Sequence, residues 1–150
     1  MANLQYSEHS HGSSNNEPLC NWVTAYSMKT QHTILIIEDE KSLRGAIVDI
    51  LKLEDFLSLE ARNGREGVEL AFEHHPDLIL LDLIMPEMDG MTALRKIRED
   101  EWGKKVPVII LTNLSATNEH PLGDAVTHYL IKSDWKLHDI VKKIEEILGM

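Results

Sequence analysis

The sequence is poor in cysteine, and this scarcity limits the chemistry open to the chain. Cys20 is the only cysteine among the 150 residues. An internal disulfide needs a second cysteine, and a cysteine-based zinc site needs several thiolates. An internal disulfide and a cysteine-based zinc site are therefore both excluded.

Basic residues are also scarce, and the sequence lacks long apolar runs. It has 15 Lys and Arg against 25 Asp and Glu, which gives a formal net charge of −10. This charge repels nucleic-acid phosphates and anionic lipids, so we expect neither nucleic acid nor a membrane surface as a partner. No apolar run approaches the roughly 18 residues of a spanning helix, and the N-terminus lacks the pattern of a secretion signal. We therefore expect a cytoplasmic protein.

The composition of the chain changes near residue 30. Residues 1–31 are rich in Ser, Asn and His and show no sustained apolar period. Such a segment buries too little apolar surface to offset the entropy cost of ordering, so we predict a disordered leader. Residues 32–150 are long enough to bury a core and are predicted to form one domain.

Five short apolar runs after residue 31 are each typical of a strand in a parallel sheet. Apolar residues at helical spacing lie between the runs, for example over residues 41–54 and 65–74, and again after the last run. Strands that alternate with helices predict an α/β fold with right-handed crossovers. The five runs are Thr33–Ile37, Leu57–Ala61, Leu78–Leu81, Val108–Leu111 and Val126–Ile131.

Polar side chains stand where four of the five predicted strands end. In an open α/β sheet, ligands bind beyond the carboxyl ends of the strands. These side chains are therefore expected to meet at one edge of the sheet and to form the candidate site. They are Glu38, Asp39, Asp82, Thr112 and Lys132.

These residue types fit phosphoryl chemistry with a divalent metal. Three carboxylates at one edge repel one another unless a cation lies between them, and oxygen ligands suit Mg²⁺. A carboxylate can also accept a phosphoryl group covalently, which makes Asp82 the candidate nucleophile. The Thr112 hydroxyl and the Lys132 ammonium can each contact a phosphoryl oxygen. Taken singly, each residue also fits an ordinary role, such as a helix cap at Asp39.

Four motifs resemble those of the receiver domain of two-component response regulators. They are ILIIEDE (34–40), DLILLDLIMPEMDGM (77–91), PVIILTN (107–113) and YLIKS (129–133). The resemblance covers residues 33–148, and the spacing among the motifs also fits. It implies a flavodoxin-like fold, with a five-stranded parallel sheet of order 2-1-3-4-5 and helices on both faces.

The resemblance also implies a role for each candidate residue. A phosphohistidine on a sensor histidine kinase or a phosphotransfer protein would give its phosphoryl group to an aspartate in a Mg²⁺-dependent reaction. The implied roles are Asp82 as phosphoacceptor; Glu38, Asp39, Asp82 and the backbone carbonyl of Ile84 as Mg²⁺ ligands; Thr112 and Lys132 as contacts of the phosphoryl group; and Thr112 and Tyr129 as the switch.

The implied protein is a stand-alone, single-domain receiver rather than a conventional enzyme. It would phosphorylate itself from a phosphodonor and then hydrolyse the aspartyl phosphate slowly. Since no second domain follows residue 150, the output is expected to be contact with a downstream protein effector. Receivers also meet one another, so a phosphorylation-dependent homodimer is a further expected partner mode.

The chain departs from the family pattern at several positions. Ser133 stands where the family usually has proline with a cis peptide bond, so this loop is expected to be trans or reshaped. Asn113 replaces a small residue, and residues 115–121 are poorly patterned. Ile84 and Leu114 occupy positions that resemble the family's rate-tuning sites near the attacking water. Both are apolar here, so we expect a long-lived phosphoryl state.

Three alternative functions remain open at this point. The first is a pseudo-receiver, an interaction module that no longer cycles phosphate, which Ser133 and Asn113 favour and the five site residues oppose. The second is an FMN-binding flavodoxin-like protein, but the acids after the first strand would repel its phosphate. The third is an aspartyl phosphatase, which needs a second acid two residues beyond Asp82, where the chain has Ile84.

Overall fold

The computed structural model of the chain describes residues 31–113 and 123–150. Residues 1–30, most of the predicted leader, lie outside the described residues, as do Leu114 and the segment 115–121. The described elements alternate strand and helix, as the apolar runs predict. They are β1 (Thr33–Ile37), α1 (Lys41–Leu53), β2 (Leu57–Ala61), α2 (Gly64–His74), β3 (Leu78–Asp82), α3 (Gly90–Arg98), β4 (Val108–Thr112), a 3₁₀ turn (Gly123–Ala125), β5 (His128–Ile131) and α4 (Leu137–Leu148).

The five strands form one parallel sheet in the order β2-β1-β3-β4-β5. This confirms the predicted fold class and strand order. The register pairs Ile37 with Leu81 and Asp82 with Leu111. It also pairs Thr112 with Ile131, the residue before Lys132. The ends of β1, β3, β4 and β5 therefore meet at one edge of the sheet.

The core consists of two apolar layers, one on each face of the sheet. Alternate residues of β1 enter opposite layers, with Ile34 and Ile36 on one side and Leu35 and Ile37 on the other. Helices α1 and α4 cover the first layer, and α2 and α3 contribute to the second. The strands β1, β3 and β4 are buried on both faces, which is why they read as continuous apolar runs, whereas the edge strands β2 and β5 are partly exposed. Helices on both faces are confirmed.

The fifth strand is shorter than predicted. The sequence predicts Val126–Ile131, whereas β5 begins at His128. The chain first makes a 3₁₀ turn, in which the Val126 N–H donates to the Gly123 carbonyl at 3.4 Å. Val126 packs in the second apolar layer and is therefore buried. The apolar run in the sequence thus begins before the strand does.

The guanidinium of Arg98, at the end of α3, donates hydrogen bonds to three backbone carbonyls at the opposite edge of the sheet. It donates to the Val106 carbonyl at 2.7 Å and to the Ala125 carbonyl at 2.6 and 3.0 Å, and it also bonds the Gly103 carbonyl. These bonds fix the starts of β4 and β5 relative to α3.

Within the described ranges, no helix combines the length and the apolar composition that crossing a bilayer requires.

Candidate functional site

Three carboxylates converge where β1 and β3 end. One oxygen from each of Glu38, Asp39 and Asp82 lies within 4.8 Å of the others. The Glu38 side chain is fully buried and Asp82 is 5% exposed, whereas Asp39 lies open to solvent. The adjacency of β1 and β3 produces this cluster, because Glu38 directly follows β1 and Asp82 ends β3.

Lys132 extends from the end of β5 into the same cluster. Its Nζ lies 2.8 Å from Glu38 Oε2 and 3.1 Å from Asp82 Oδ2. The Lys132 backbone N–H donates to the Thr112 carbonyl at 2.6 Å, which anchors the base of the side chain to β4. The lysine therefore links two acids that come from different strands.

Burial and the neighbouring charges shift the pKa values of two groups in this cluster. Burial raises the pKa of the Glu38 carboxyl, and the charge of Asp82 raises it further, despite the hydrogen bond from Lys132. Burial alone would lower the pKa of Lys132, but its hydrogen bonds to Glu38 and Asp82 outweigh burial and raise it. The acids are thus only partly neutralised by the lysine, and the site favours an additional cation.

Backbone contacts hold the loop that follows β1. The Glu38 N–H donates to the Ala61 carbonyl at 3.0 Å, and Glu38 Oε1 accepts from the Glu40 N–H at 3.2 Å. Arg44 Nη1 donates to the Glu38 carbonyl at 2.8 Å. Glu40 occupies the N-cap position of α1 without a capping bond from its side chain, so Asp39 does not cap this helix. Sequence reasoning missed Arg44, since nothing in the local pattern marks an arginine that bonds the backbone carbonyl of the preceding loop.

A glycine allows the backbone of the phosphoacceptor candidate to approach α3. A Cβ added to Gly90 would lie 2.2 Å from the Asp82 carbonyl oxygen, so no larger residue fits without movement. The Gly90 N–H donates to the Leu83 carbonyl at 3.0 Å, and the Ile84 N–H donates to Asp82 Oδ1 at 3.2 Å. The Asp89-Gly90 pair marks a loop in the sequence but gives no sign of this contact.

The remaining candidates lie around the acid cluster. Thr112 ends β4 and is 6% exposed. Tyr129 is half-buried within β5, pairs in register with Ile110 and packs against the second apolar layer. The Ile84 side chain is 65% exposed at the rim of the site. The structure therefore brings together Glu38, Asp39, Asp82 and Lys132, and it places Thr112 on the adjoining strand end.

The loop after Lys132 adopts the geometry expected without proline. None of the described residues has a cis peptide bond, so Ser133 is joined in trans. Its hydroxyl donates to Asp134 Oδ1 at 2.9 Å. Lys132 still reaches both acids, so the loss of proline does not withdraw the lysine. Asn113 is exposed at the mouth of the site.

The donor set fits a hard divalent cation. All the donors are carboxylate oxygens, and their mutual distances suit ligands that share one ion. Mg²⁺ typically uses one or two protein carboxylates and keeps several waters, and the exposure of Asp39 leaves room for these waters. The residues therefore fit Mg²⁺.

Curated relatives match the chain over part of its length. The chain is 46% identical over 88 residues to histidine kinase P4 of Formosa agariphila, and the match covers 59% of this chain and 6% of that protein. It is 34% identical over 80 residues to the polar-differentiation response regulator DivK of Brucella ovis, covering 53% of this chain and 65% of that protein. The chain thus spans less than two thirds of the length of these relatives.

A family model and a solved structure identify the fold family. The receiver domain of the sensor histidine kinase PA1611 from Pseudomonas aeruginosa superposes with a TM-score of 0.71 at 29% identity, covering 80% of this chain and 99% of that one. That structure has a magnesium ion coordinated in its active site cleft. The model of the response regulator receiver domain matches residues 34–145. The chain therefore belongs to the response regulator receiver domain family.

Proposed function

We propose that Asp82 accepts a phosphoryl group from a phosphohistidine on a sensor histidine kinase or phosphotransfer protein, in a Mg²⁺-dependent reaction. The observation that carries the proposal is the convergence of three carboxylates and Lys132 at one edge of the sheet. The family to which the chain belongs supports it. The magnesium in the PA1611 receiver supports the choice of metal.

Asp82 supplies the nucleophile in this reaction. One of its carboxylate oxygens attacks the phosphorus, a P–O bond forms, and the P–N bond to the donor imidazole breaks. The imidazole takes up a proton as it leaves. Before transfer, the Ile84 N–H bonds Asp82 Oδ1 and the Lys132 ammonium lies 3.1 Å from Oδ2, so both oxygens are oriented.

Charge neutralisation is the main task of the surrounding residues. Glu38, Asp39 and Asp82 would hold Mg²⁺, with the Ile84 carbonyl as a further ligand, and the ion would offset negative charge on the transferring group. Lys132 already contacts the phosphoacceptor, so its ammonium can move to a phosphoryl oxygen with little displacement. Thr112 would donate its hydroxyl to another phosphoryl oxygen.

Phosphorylation would act as a switch through β4 and β5. When the Thr112 hydroxyl turns toward the phosphoryl group, it would leave space beside the adjoining strand, β5. Tyr129, which is half-buried on β5, would turn inward to fill this space. Couplings of this kind are about 1–3 kcal/mol, which is enough to change the affinity for a partner.

The partners follow from the same proposal. In the cytoplasm, where we expect the chain to act, a sensor histidine kinase or phosphotransfer protein would supply the phosphoryl group. A downstream protein effector would bind the changed surface. A net charge of −10 favours protein over nucleic acid as the effector. Self-association after phosphorylation is a further output, which size-exclusion chromatography of the phosphorylated chain would measure.

The proposal is tested by incubating the full chain with acetyl phosphate or phosphoramidate and Mg²⁺, followed by intact mass spectrometry. One phosphoryl adduct is expected on the wild-type protein and none on Asp82→Asn. Asp49→Asn is a matched control, because Asp49 is exposed on α1, away from the acid cluster. A folded wild-type protein that forms no adduct would overturn the proposal and favour the pseudo-receiver.

A further inference from the structure

Arg44 connects α1 to the loop that carries two of the three acids. Its Nη1 donates to the Glu38 carbonyl at 2.8 Å, and its Nε donates to Glu60 Oε2 at 3.2 Å. The Arg44 side chain is 15% exposed and Glu60 is 49% exposed. Glu60 lies on β2, so the guanidinium is held between the edge strand and the loop.

The Glu38 carbonyl belongs to the peptide that joins Glu38 to Asp39. The Glu38 side chain is fixed independently, by Lys132 and by the Glu40 N–H. The Asp39 carboxylate, by contrast, is exposed and accepts no hydrogen bond from any residue in the described part of the chain. Its position beside the other acids is therefore set by its backbone, and Arg44 holds that backbone.

We infer that Arg44, held by Glu60, is a positioning residue that presents Asp39 to the divalent cation. The inference rests on the proposed Mg²⁺ site and adds a residue that touches neither the ion nor the phosphoryl group. A guanidinium suits this task because its planar fork bonds a carboxylate and a carbonyl at the same time. A single ammonium cannot reproduce both bonds in this geometry.

A role through charge and a role in positioning predict opposite changes in cation affinity when Arg44 is removed. If Arg44 acted only through its charge, its removal would strengthen the binding of a cation to the nearby acids. If Arg44 positions the Asp39 backbone, its removal would free the peptide and weaken binding. Loss of groups that orient metal ligands typically costs about 10–100-fold in metal affinity. The sign of the change in affinity therefore separates the two roles.

The experiment measures Mg²⁺ binding to the full chain by isothermal titration calorimetry at constant ionic strength. Arg44→Met is expected to weaken binding about tenfold or more, and Arg44→Lys to weaken it less, because one donor is retained. The matched control is Arg65→Met. Arg65 lines the same surface groove as Asp39 but bonds no group among the described residues, so its loss is expected to leave the affinity unchanged or slightly tighter.

The outcomes separate this inference from the proposed function. Equal or tighter Mg²⁺ binding by folded Arg44→Met would overturn the positioning role while leaving the proposed function intact. Wild-type protein that binds no Mg²⁺ would overturn both. Circular dichroism and urea unfolding report whether each variant folds. If Arg44→Met does not fold, Arg44→Lys decides, and wild-type affinity in that variant would overturn the inference.

Discussion

The Lys132 ammonium bonds Glu38 Oε2 at 2.8 Å, although the two residues are 94 positions apart in the chain. Lys132 follows β5 at one side of the sheet and Glu38 follows β1, with β3 and β4 between them. The lysine therefore spans the whole site, and the same ammonium also contacts Asp82 on β3. Removing it would leave two buried acids facing each other.

The first prediction concerns this lysine. Lys132→Met should lower the free energy of unfolding by about 3 kcal/mol in the absence of Mg²⁺, because breaking a buried ion pair leaves uncompensated charge. Mg²⁺ should restore part of the loss, since an ion that binds only the folded state stabilises it. Urea unfolding with and without Mg²⁺ measures both effects.

A surface lysine provides the control for that variant. Lys104 pairs with Glu101, and both side chains are more than half exposed. Lys104→Met should therefore change the free energy of unfolding by less than about 1 kcal/mol. A similar loss in the two variants, or no Mg²⁺ effect in Lys132→Met, would contradict the role of Lys132 as the counter-charge of the site.

The second prediction compares two glycines. Gly90→Ala should destabilise the fold by about 1–3 kcal/mol, because its Cβ would meet the Asp82 carbonyl at 2.2 Å and the backbone must shift. Phosphorylation should slow as well, since Asp82 moves. For Gly45→Ala, on α1, no described residue beyond its chain neighbours and the backbone of its own helix has an atom within 4 Å of the new Cβ. This change should therefore be stabilising by up to about 1 kcal/mol. Thermal unfolding of both variants checks the opposite signs.

The third prediction concerns the three carbonyls that Arg98 bonds. Arg98→Met should cost about 2 kcal/mol or more, because Gly103, Val106 and Ala125 lose their donor together. Arg98→Lys should recover only part of this loss, since one ammonium cannot replace the guanidinium fork. Arg95→Met, an exposed change on the same helix, should stay within about 0.5 kcal/mol. Urea midpoints that do not separate Arg98→Met from Arg95→Met would count against this role.

The sequence predicts the parts of this molecule that depend on local patterns. Strands buried on both faces appear as apolar runs such as Leu78–Leu81, and acids at strand ends must gather at one edge of a parallel sheet. Arg44 and Arg98 were not predictable in this way. Arg44 bonds one backbone carbonyl outside its own helix and Arg98 bonds three, and a backbone carbonyl carries no sequence signal. The start of β5 was missed because Val126 is apolar for packing rather than for pairing.

The fourth prediction is a dependence of stability on pH at the start of α3. Asp89 accepts from the Thr92 N–H at 2.8 Å, and this hydrogen bond holds the pKa of Asp89 below its usual 3.8. The stabilisation is therefore present above about pH 3.8 and is lost as the pH falls through the lowered pKa. Asp89→Ala should cost about 1 kcal/mol at pH 7, as for other N-caps, and less in acid.

An uncharged residue at this N-cap separates the contribution of Asp89 ionisation to stability from that of its hydrogen bond. Asp89→Asn keeps a side-chain acceptor for the Thr92 N–H but cannot ionise. It should be slightly less stable than the wild-type protein at pH 7, through loss of the charge at the helix N-terminus, and equally stable once Asp89 is protonated. Urea unfolding from pH 7 to pH 3 measures the difference. A gap between the two proteins that stays constant with pH would exclude the ionised cap as its cause.

The last prediction concerns how long the aspartyl phosphate survives. Hydrolysis requires a water in line with the phosphorus, and the exposed Ile84 side chain at the rim of the site offers that water no hydrogen bond. Ile84→Asn should speed dephosphorylation about fivefold, which corresponds to one hydrogen bond of about 1 kcal/mol in the transition state. Ile84→Val keeps the site apolar and should leave the rate unchanged. Loss of the phosphoryl adduct, followed by intact mass after removal of the phosphodonor, gives both rates. Equal rates in Ile84→Asn and Ile84→Val would show that this side chain does not control the attacking water.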